Sequence, residues 1–420
     1  MLNIHTEERN LDFDIVNERR HTHSLKYDFA VECRAVKAGE DPYGLLPLWV
    51  ADMDFKTSSF IQDALIEVAQ HGIFGYSEPK SDYFEAIQDF YRRRHNYNIE
   101  DSKWIVKIPG VMFGVATAIK TFSNESDAVL IQEPVYMHFA DVIRNNNRVV
   151  VSNDLVYGDD GRYHIDFEDF EKKILENNIK LFLLCSPHNP VCRVWTREEL
   201  SRIGEICLKH NVIVVSDEIH SDFIFEGTHT VFGSISEAFV DNSIIVTAPT
   251  KTFNLAGVQI ANAIIKNQKL RRAFRKQIIA TGYTDVSIQG IVSAQAAYSK
   301  GEVWLDALLK YIKGNIEFTD KFIKENLKGI KLVPMEATYL AWLDFNGTGL
   351  SSDEIQERIR NKARLWLNNG ILFGKTGEGF QRLNLACPRS ILAEALNRLK
   401  TAFDSSSTHN EKPSGSLEST

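Results

Sequence analysis

The chain is poor in cysteine, with five in 420 residues, and the number is odd. Cys33, Cys185, Cys192, Cys207 and Cys387 show no paired framework, so a reducing compartment is expected rather than a disulfide scaffold. No stretch approaches the ~18 apolar residues of a membrane span; LFLLC (181–185) and VIVV (212–215) are far too short. The opening MLNIHTEERNLDFD has charges throughout and lacks the apolar core of about 7–15 residues that marks a signal peptide. A cytoplasmic protein without membrane attachment is the expectation. Basic residues are outnumbered, 48 against 56, which leaves a formal charge of −8. Such a surface repels phosphate backbones and argues against nucleic acid as a partner. Glycine and proline are modest at 24 and 11 beside 44% apolar residues, which excludes collagen-like and disordered architectures. No internal repeat is visible.

What is present is an alternation. Short β-branched runs stand at 104–108, 128–131, 148–151, 180–184, 212–215, 243–246 and 259–265, with helical spacing between them at 111–122, 135–145, 166–176 and 196–210. Strands alternating with helices imply βαβ units and a mostly parallel seven-stranded sheet between helices, an α/β fold. Thr196 with Glu199, and later Ser351 with Glu354, carry capping-box signatures. From about residue 285 helices dominate, with a long one over 302–327, another near 353–365, and strands at 331–333, 338–345 and 380–386. The expected organisation is an N-terminal segment (1–56) that contributes to the small domain and the active site. A large domain (57–284), a smaller α+β domain (285–402) and a disordered tail (403–420) follow.

In open parallel sheets, ligands gather at the carboxyl ends of strands. Four apolar runs there lead into PGVMFG (109–114), SPHNPVCRVW (186–195), SDEIHSD (216–222) and TAPTKTFNLAG (247–257). These deliver a helix start, an amide, a carboxylate and a lysine to one rim. That set suits a phosphorylated pyridine aldehyde. A desolvated lysine forms a Schiff base, a carboxylate holds the ring nitrogen protonated, and free N–H groups at a helix start bind the phosphate. Lys251, Asp217 and Gly110-Val111-Met112 can fill these roles, with Asn189 able to donate to a ring oxygen. Asp217-Glu218 could also be an acidic pair of a nucleotide hydrolase, but no G-x-x-x-x-G-K-[ST] precedes it. Cys185, His188, Cys192, Cys207 and His210 have superficially metal-like spacing. They straddle a strand end and a separate helix, so no metal is expected.

The same motifs resemble those of the fold-type-I, pyridoxal 5'-phosphate (PLP) dependent aminotransferase superfamily, class I/II, and more narrowly its bacterial cystathionine β-lyase, or C–S lyase, branch. LPLWVADMDF (46–55), FGYSEP (74–79), QEPVYMHFA (132–140), EATYLAWLDF (336–345) and GEGFQRLNLACPRS (377–390) extend the likeness over roughly residues 10–400. The resemblance implies Lys251 as the cofactor-bound, catalytic lysine and Asp217 as partner of the pyridine nitrogen. Asn189 and His220 fall at the ring oxygen, and Tyr136 on the ring face. Val111, Met112 and Thr250 fall around the phosphate. Tyr76 would reach the phosphate of the neighbouring subunit of a homodimer with shared active sites. Arg382 would grip the substrate α-carboxylate, with Ala51 also at the substrate. His220 reads equally as a core histidine, Arg382 as a structural ion-pair partner, and Tyr136 and Tyr76 as ordinary aromatics.

Two departures stand out. Cys192 occupies a place where the family commonly has Gly, and Gln259 or its neighbours replace the arginine that classical aminotransferases use for phosphate. The implied activity is α,β-elimination from L-cystathionine or related S-substituted cysteines to thiol, pyruvate and ammonia. The alternative is amino transfer between an L-amino acid and a 2-oxo acid.

Overall fold

A computed structural model gives the fold of residues 7–37 and 39–404. The alternating runs form one seven-stranded sheet from β1 (Ile105–Ile108), β2 (Ala128–Ile131), β3 (Val149–Ser152), β4 (Leu181–Cys185), β5 (Ile213–Asp217), β6 (Ser243–Thr247) and β7 (Ala261–Ile264). Their spatial order is β1-β7-β6-β5-β4-β2-β3. All neighbours are parallel except those of β7, which runs antiparallel to both β1 and β6. The expected mostly parallel sheet is therefore present, with one reversed strand. The reason lies in the connection. A parallel return needs a crossover that travels the length of the sheet, usually a helix. The chain between β6 and β7 holds only the one-turn helix Pro249–Thr252 and a short 3-10 turn.

The central strands are apolar without interruption because both faces are covered. Leu181 and Leu183 pack with Val115 and Ile119 on one side, whereas Phe182 and Leu184 pack with Phe170, Leu200 and Ile203 on the other. The helix Arg197–Lys209 starts at Thr196, whose hydroxyl accepts the Glu199 N–H while the Glu199 carboxylate accepts the Thr196 N–H. Such a cap stabilises by about 1 kcal/mol. The helix expected over 135–145 begins only at His138, leaving Val135 and Tyr136 in a loop where the Val135 N–H donates to Phe373 O.

A second, antiparallel sheet contains β8 (Lys331–Leu332), β9 (Leu340–Asp344), β10 (Asn368–Asn369) and β11 (Phe380–Asn384), in the order β8-β9-β11-β10. The helix Arg389–Phe403 covers it through Leu392, Leu396 and Leu399. A parallel pair between Leu46–Pro47 and Leu365–Trp366 ties the N-terminal segment to this unit and was not anticipated. The change of sequence pattern near residue 285 does not coincide with a change of packing partner. The helix Ile288–Lys300 still packs along Ser59–His71 and Ser81–His95, presenting Ile291, Ala294, Ala297 and Tyr298 to that core. The helix expected near 353–365 is α-helical over Ser352–Glu357 and widens into a π turn at Arg358–Lys362. Arg364, with φ of 54°, then swings the chain into Leu365. The segment expected to be disordered lies, after Asp404, outside the described residues. Among the described residues no helix is long and apolar enough to cross a membrane.

Candidate active site

Because the strands other than β7 share one direction, their carboxyl ends meet along one rim. Gly110 follows β1, Tyr136 follows β2, Asn189 follows β4, Asp217 ends β5, and Thr250 and Lys251 follow β6. These residues line a cavity of about 550 Å³ together with Val111, Met112, Ala51, His220 and Arg382. Ten of the eleven residues expected from the sequence thus converge on one space. The eleventh, Tyr76, is 99% exposed and stands in a separate surface groove with Phe74 and Ser287. Gln259, in left-handed conformation with φ of 55°, also borders the main cavity.

Lys251 sits in the Pro249–Thr252 turn, and its Nζ donates to Ala51 O at 2.9 Å. The same carbonyl accepts the Tyr339 hydroxyl at 2.9 Å. Loss of water pushes the Lys251 pKa down to about 8; the Asp52 charge opposes this, Arg382 adds to it, and Asp217 opposes it. Asp217 is buried and its Oδ1 accepts the Ile219 N–H at 3.1 Å. Burial raises its carboxyl to about 7, so the site disfavours the bare anion unless a cation arrives beside it. His220 is buried and driven down to about 3, first by burial and then by Lys251 and Arg382, so it is a neutral imidazole. Its Nδ1 has no hydrogen-bond partner among the described residues.

Arg382 reaches the cavity from β11. Nη1 donates to Asn189 Oδ1 at 3.0 Å, and Nη2 donates to Asn368 Oδ1 at 2.7 Å and to Trp49 O at 3.1 Å. Its plane lies over the Phe373 ring, 4.7 Å from the centroid, while Nε is buried without a partner. Among the described residues no carboxylate pairs with it. Burial alone drives its pKa down to about 10, partly offset by Tyr136 and Tyr339. A buried guanidinium without a counter-ion is primed for an incoming carboxylate. Trp49, Asn368 and Tyr339 were missed in the sequence. Trp49 acts through its backbone oxygen, and Asn368 meets Arg382 only through the antiparallel register of β10 and β11. The one available signal for Asn368 was a buried-type amide inside the apolar run LWLNNG.

The helix Val111–Phe122 points its start at the same cavity, and its N-cap is Gly110, which offers no side chain to satisfy the first N–H groups. An uncapped start suits a phosphate. An orphaned His220 nitrogen, a buried carboxylate lacking a cation and an uncapped helix start are complementary to PLP, which therefore fits the residues present. Tyr136 borders the cavity with its hydroxyl raised to about 12 by burial. Cys192 does not line the cavity. It adopts φ of 61°, and its buried Sγ lies 3.3 Å from Pro190 O and 3.1 Å from Leu340 O. The side chain thus occupies the contact between the β4 loop and β9, away from the site.

Comparison with known proteins agrees with this geometry. The sequence profile of the family described as aminotransferase class I and II matches residues 44–399. Cystathionine β-lyase PatB of Bacillus subtilis (strain 168) is 41% identical over 395 residues, covering 94% of this chain and all of PatB. The structure of cystalysin from Treponema denticola, which contains a pyridoxal 5'-phosphate cofactor, superposes with a TM-score of 0.88 at 36% identity over 93% of this chain and 98% of cystalysin. The PLP-bound C–S lyase of Staphylococcus hominis gives 0.83 at 30% identity, over 93% and 98% respectively. The uncapped helix start, Asp217, Lys251 and Arg382 around one cavity, together with these matches, show that the chain belongs to the aminotransferase class I and II family, in its cystathionine β-lyase branch.

Proposed function

We propose that the protein is a PLP-dependent carbon–sulfur lyase that converts L-cystathionine or related S-substituted cysteines to a thiol, pyruvate and ammonia. The observation that carries this reading is the convergence of Lys251, Asp217 and Arg382 on one cavity in a chain 41% identical to PatB. Bound PLP supplies an aldehyde for amines and an electron-accepting ring that stabilises negative charge at the substrate Cα. Asp217 would keep the ring nitrogen protonated, and Asn189 with His220 would bind at the ring oxygen. The Val111 and Met112 N–H groups and the Thr250 hydroxyl would hold the phosphate, and Tyr136 would contact the ring. Arg382 binds the substrate α-carboxylate as a fork, its free Nε and the Nη groups replacing present amide contacts. Ala51 borders the substrate. Lys251, close to neutral once its amine is free, takes the Cα proton as general base. With the Cα–H bond broken, the Cβ–S bond would break to release the thiolate, and water would hydrolyse the released enamine to pyruvate and ammonia.

Tyr76 and the neighbouring Ile73 and Phe74 are exposed apolar groups on one segment. We propose that they enter a homodimer interface in which Tyr76 reaches the partner's phosphate site. Four of the five cysteines are buried and all are free thiols, which supports a cytoplasmic location. The test supplies L-cystathionine without any 2-oxo acid and measures pyruvate. Sustained pyruvate supports the lyase. Turnover only after an oxo acid is added supports the aminotransferase instead.

A further inference from the structure

Behind the cavity lies a group of charges for which the activity just described has no use. Lys26 is fully buried, and its Nζ lies 2.7 Å from Asp54 Oδ2 and 4.0 Å from Asp52 Oδ1. Arg19 spans both acids, with Nη1 2.8 Å from Asp54 Oδ1 and Nη2 2.6 Å from Asp52 Oδ2. Two cations and two carboxylates make the group neutral. Asp52 directly follows Ala51, whose carbonyl accepts both the Lys251 amine and the Tyr339 hydroxyl at 2.9 Å.

Asp52 is fixed there by its backbone. Its carbonyl accepts from the Asn384 side chain at 2.7 Å, and its neighbours are held by Asn254 Oδ1 on the Met53 N–H and by Lys251 on Ala51 O. Among the described residues its buried Oδ1 has no hydrogen-bond partner, with Lys26 Nζ standing 4.0 Å away. A buried carboxylate oxygen that lacks a hydrogen bond costs free energy.

We propose that Asp52 is a positioning residue whose carboxylate, braced by Arg19 and Lys26, sets the proton affinity of the Lys251 amine from behind the Ala51 carbonyl. This rests on Lys251 being the reactive amine. The charged and titratable groups facing Lys251 are Asp52, Asp217, Arg382 and His220; those facing Asp52 are Arg19, Lys26 and Tyr339. Desolvation and Arg382 weaken the amine as a base, while Asp52 and Asp217 restore it. Asp217 is committed to the ring nitrogen under the proposed activity, which leaves Asp52, tempered by its ion pairs with Arg19 and Lys26, as the second carboxylate near the amine.

The experiment titrates the visible cofactor band of the holoenzyme against pH in wild type, Asp52→Asn and Arg19→Gln. In parallel, the acetylation rate of Lys251 in PLP-free protein is followed by peptide mass. Removing the Asp52 charge moves the Lys251 midpoint to lower pH by about half to one unit, the size of one partly screened charge. Removing Arg19 uncovers Asp52 and moves it to higher pH. Shifts of opposite sign, with Asp52→Glu close to wild type, are the expected result, because a merely structural role moves all variants alike. An unmoved midpoint in Asp52→Asn, or shifts of the same sign, overturns the proposal. If Asp52→Asn does not fold, Arg19→Gln and Asp52→Glu decide, and an unmoved midpoint in Arg19→Gln overturns it. Absence of a borohydride-trapped pyridoxyl group on Lys251 would sink the underlying reading instead, while the acetylation rates still judge Asp52.

Discussion

Arg382 Nη1 donates to Asn189 Oδ1 at 3.0 Å although the two residues stand 193 positions apart. One comes from the last strand of the second sheet and the other from the loop after β4. This contact, with Asn368 and Trp49 O on Nη2, holds the guanidinium in one plane before any substrate enters. Arg382→Lys keeps the charge but cannot reach these acceptors and a carboxylate together. We expect kcat/KM for L-cystathionine to fall about 10²- to 10³-fold, the equivalent of losing two charged hydrogen bonds. PLP absorbance should be retained. Steady-state kinetics with a parallel spectrum checks both.

Asp217 links cofactor and stability through pH. Its folded pKa is raised to about 7 from 3.8, so in PLP-free protein its contribution is full below 3.8 and is lost as pH rises through about 7. Lys251, lowered to about 8 from 10.5, behaves oppositely: its contribution is full above 10.5 and is lost as pH falls through about 8. Asp217→Asn removes the first effect. Thermal melts of the PLP-free proteins should show wild type losing Tm relative to the variant between about pH 4 and pH 7, the interval between the ordinary and the raised carboxyl pKa. With PLP added the order reverses, since the variant lacks the anion that pairs with the ring nitrogen.

Cys192 tests whether a left-handed side chain is tolerated for its contacts. Glycine would remove the cost of positive φ, about 1 kcal/mol, but would also empty the space that Sγ fills. Alanine loses the sulfur and keeps the backbone cost. Denaturant melts should therefore rank Cys192→Gly above Cys192→Ala, both below wild type. Because the residue lies outside the cavity, kcat/KM should stay within about 3-fold of wild type in both.

Tyr76→Ala removes a side chain that touches almost nothing within its own chain. Its effect on the melting of PLP-free protein should fall within the ~0.5 kcal/mol typical of surface positions. If Tyr76 serves a neighbouring subunit, PLP dissociation measured by dialysis should weaken about 10-fold, the scale of one lost charge-assisted hydrogen bond. Unchanged retention would remove Tyr76 from the site.

Much of this is legible in the sequence. Most of the seven strands show as β-branched runs because the middle of the sheet is covered on both faces, whereas β3 at its edge is only partly buried, and the two capping boxes announce their helix starts. Lys251, Asp217 and Asn189 stood out because strand ends are where a parallel sheet collects chemistry. The pairing of Leu46–Pro47 with Leu365–Trp366 was invisible, since two residues carry no periodicity. Asn368 was invisible for another reason: its role depends on the register of β10 against β11. Asp52 lies inside LPLWVADMDF (46–55), yet its ion pairs with Arg19 and Lys26 exist only once the N-terminal segment has folded over it.

The strand that carries Arg382 also carries Asn384, whose side-chain amide donates to the carbonyls of Val50 and Asp52 at 2.7 Å. One strand therefore both aims the guanidinium and clamps the segment on which Ala51 O meets Lys251. A displacement of that strand would disturb the anchor for an incoming carboxylate and the acceptor of the reactive amine together, so the two cannot be altered separately by moving it.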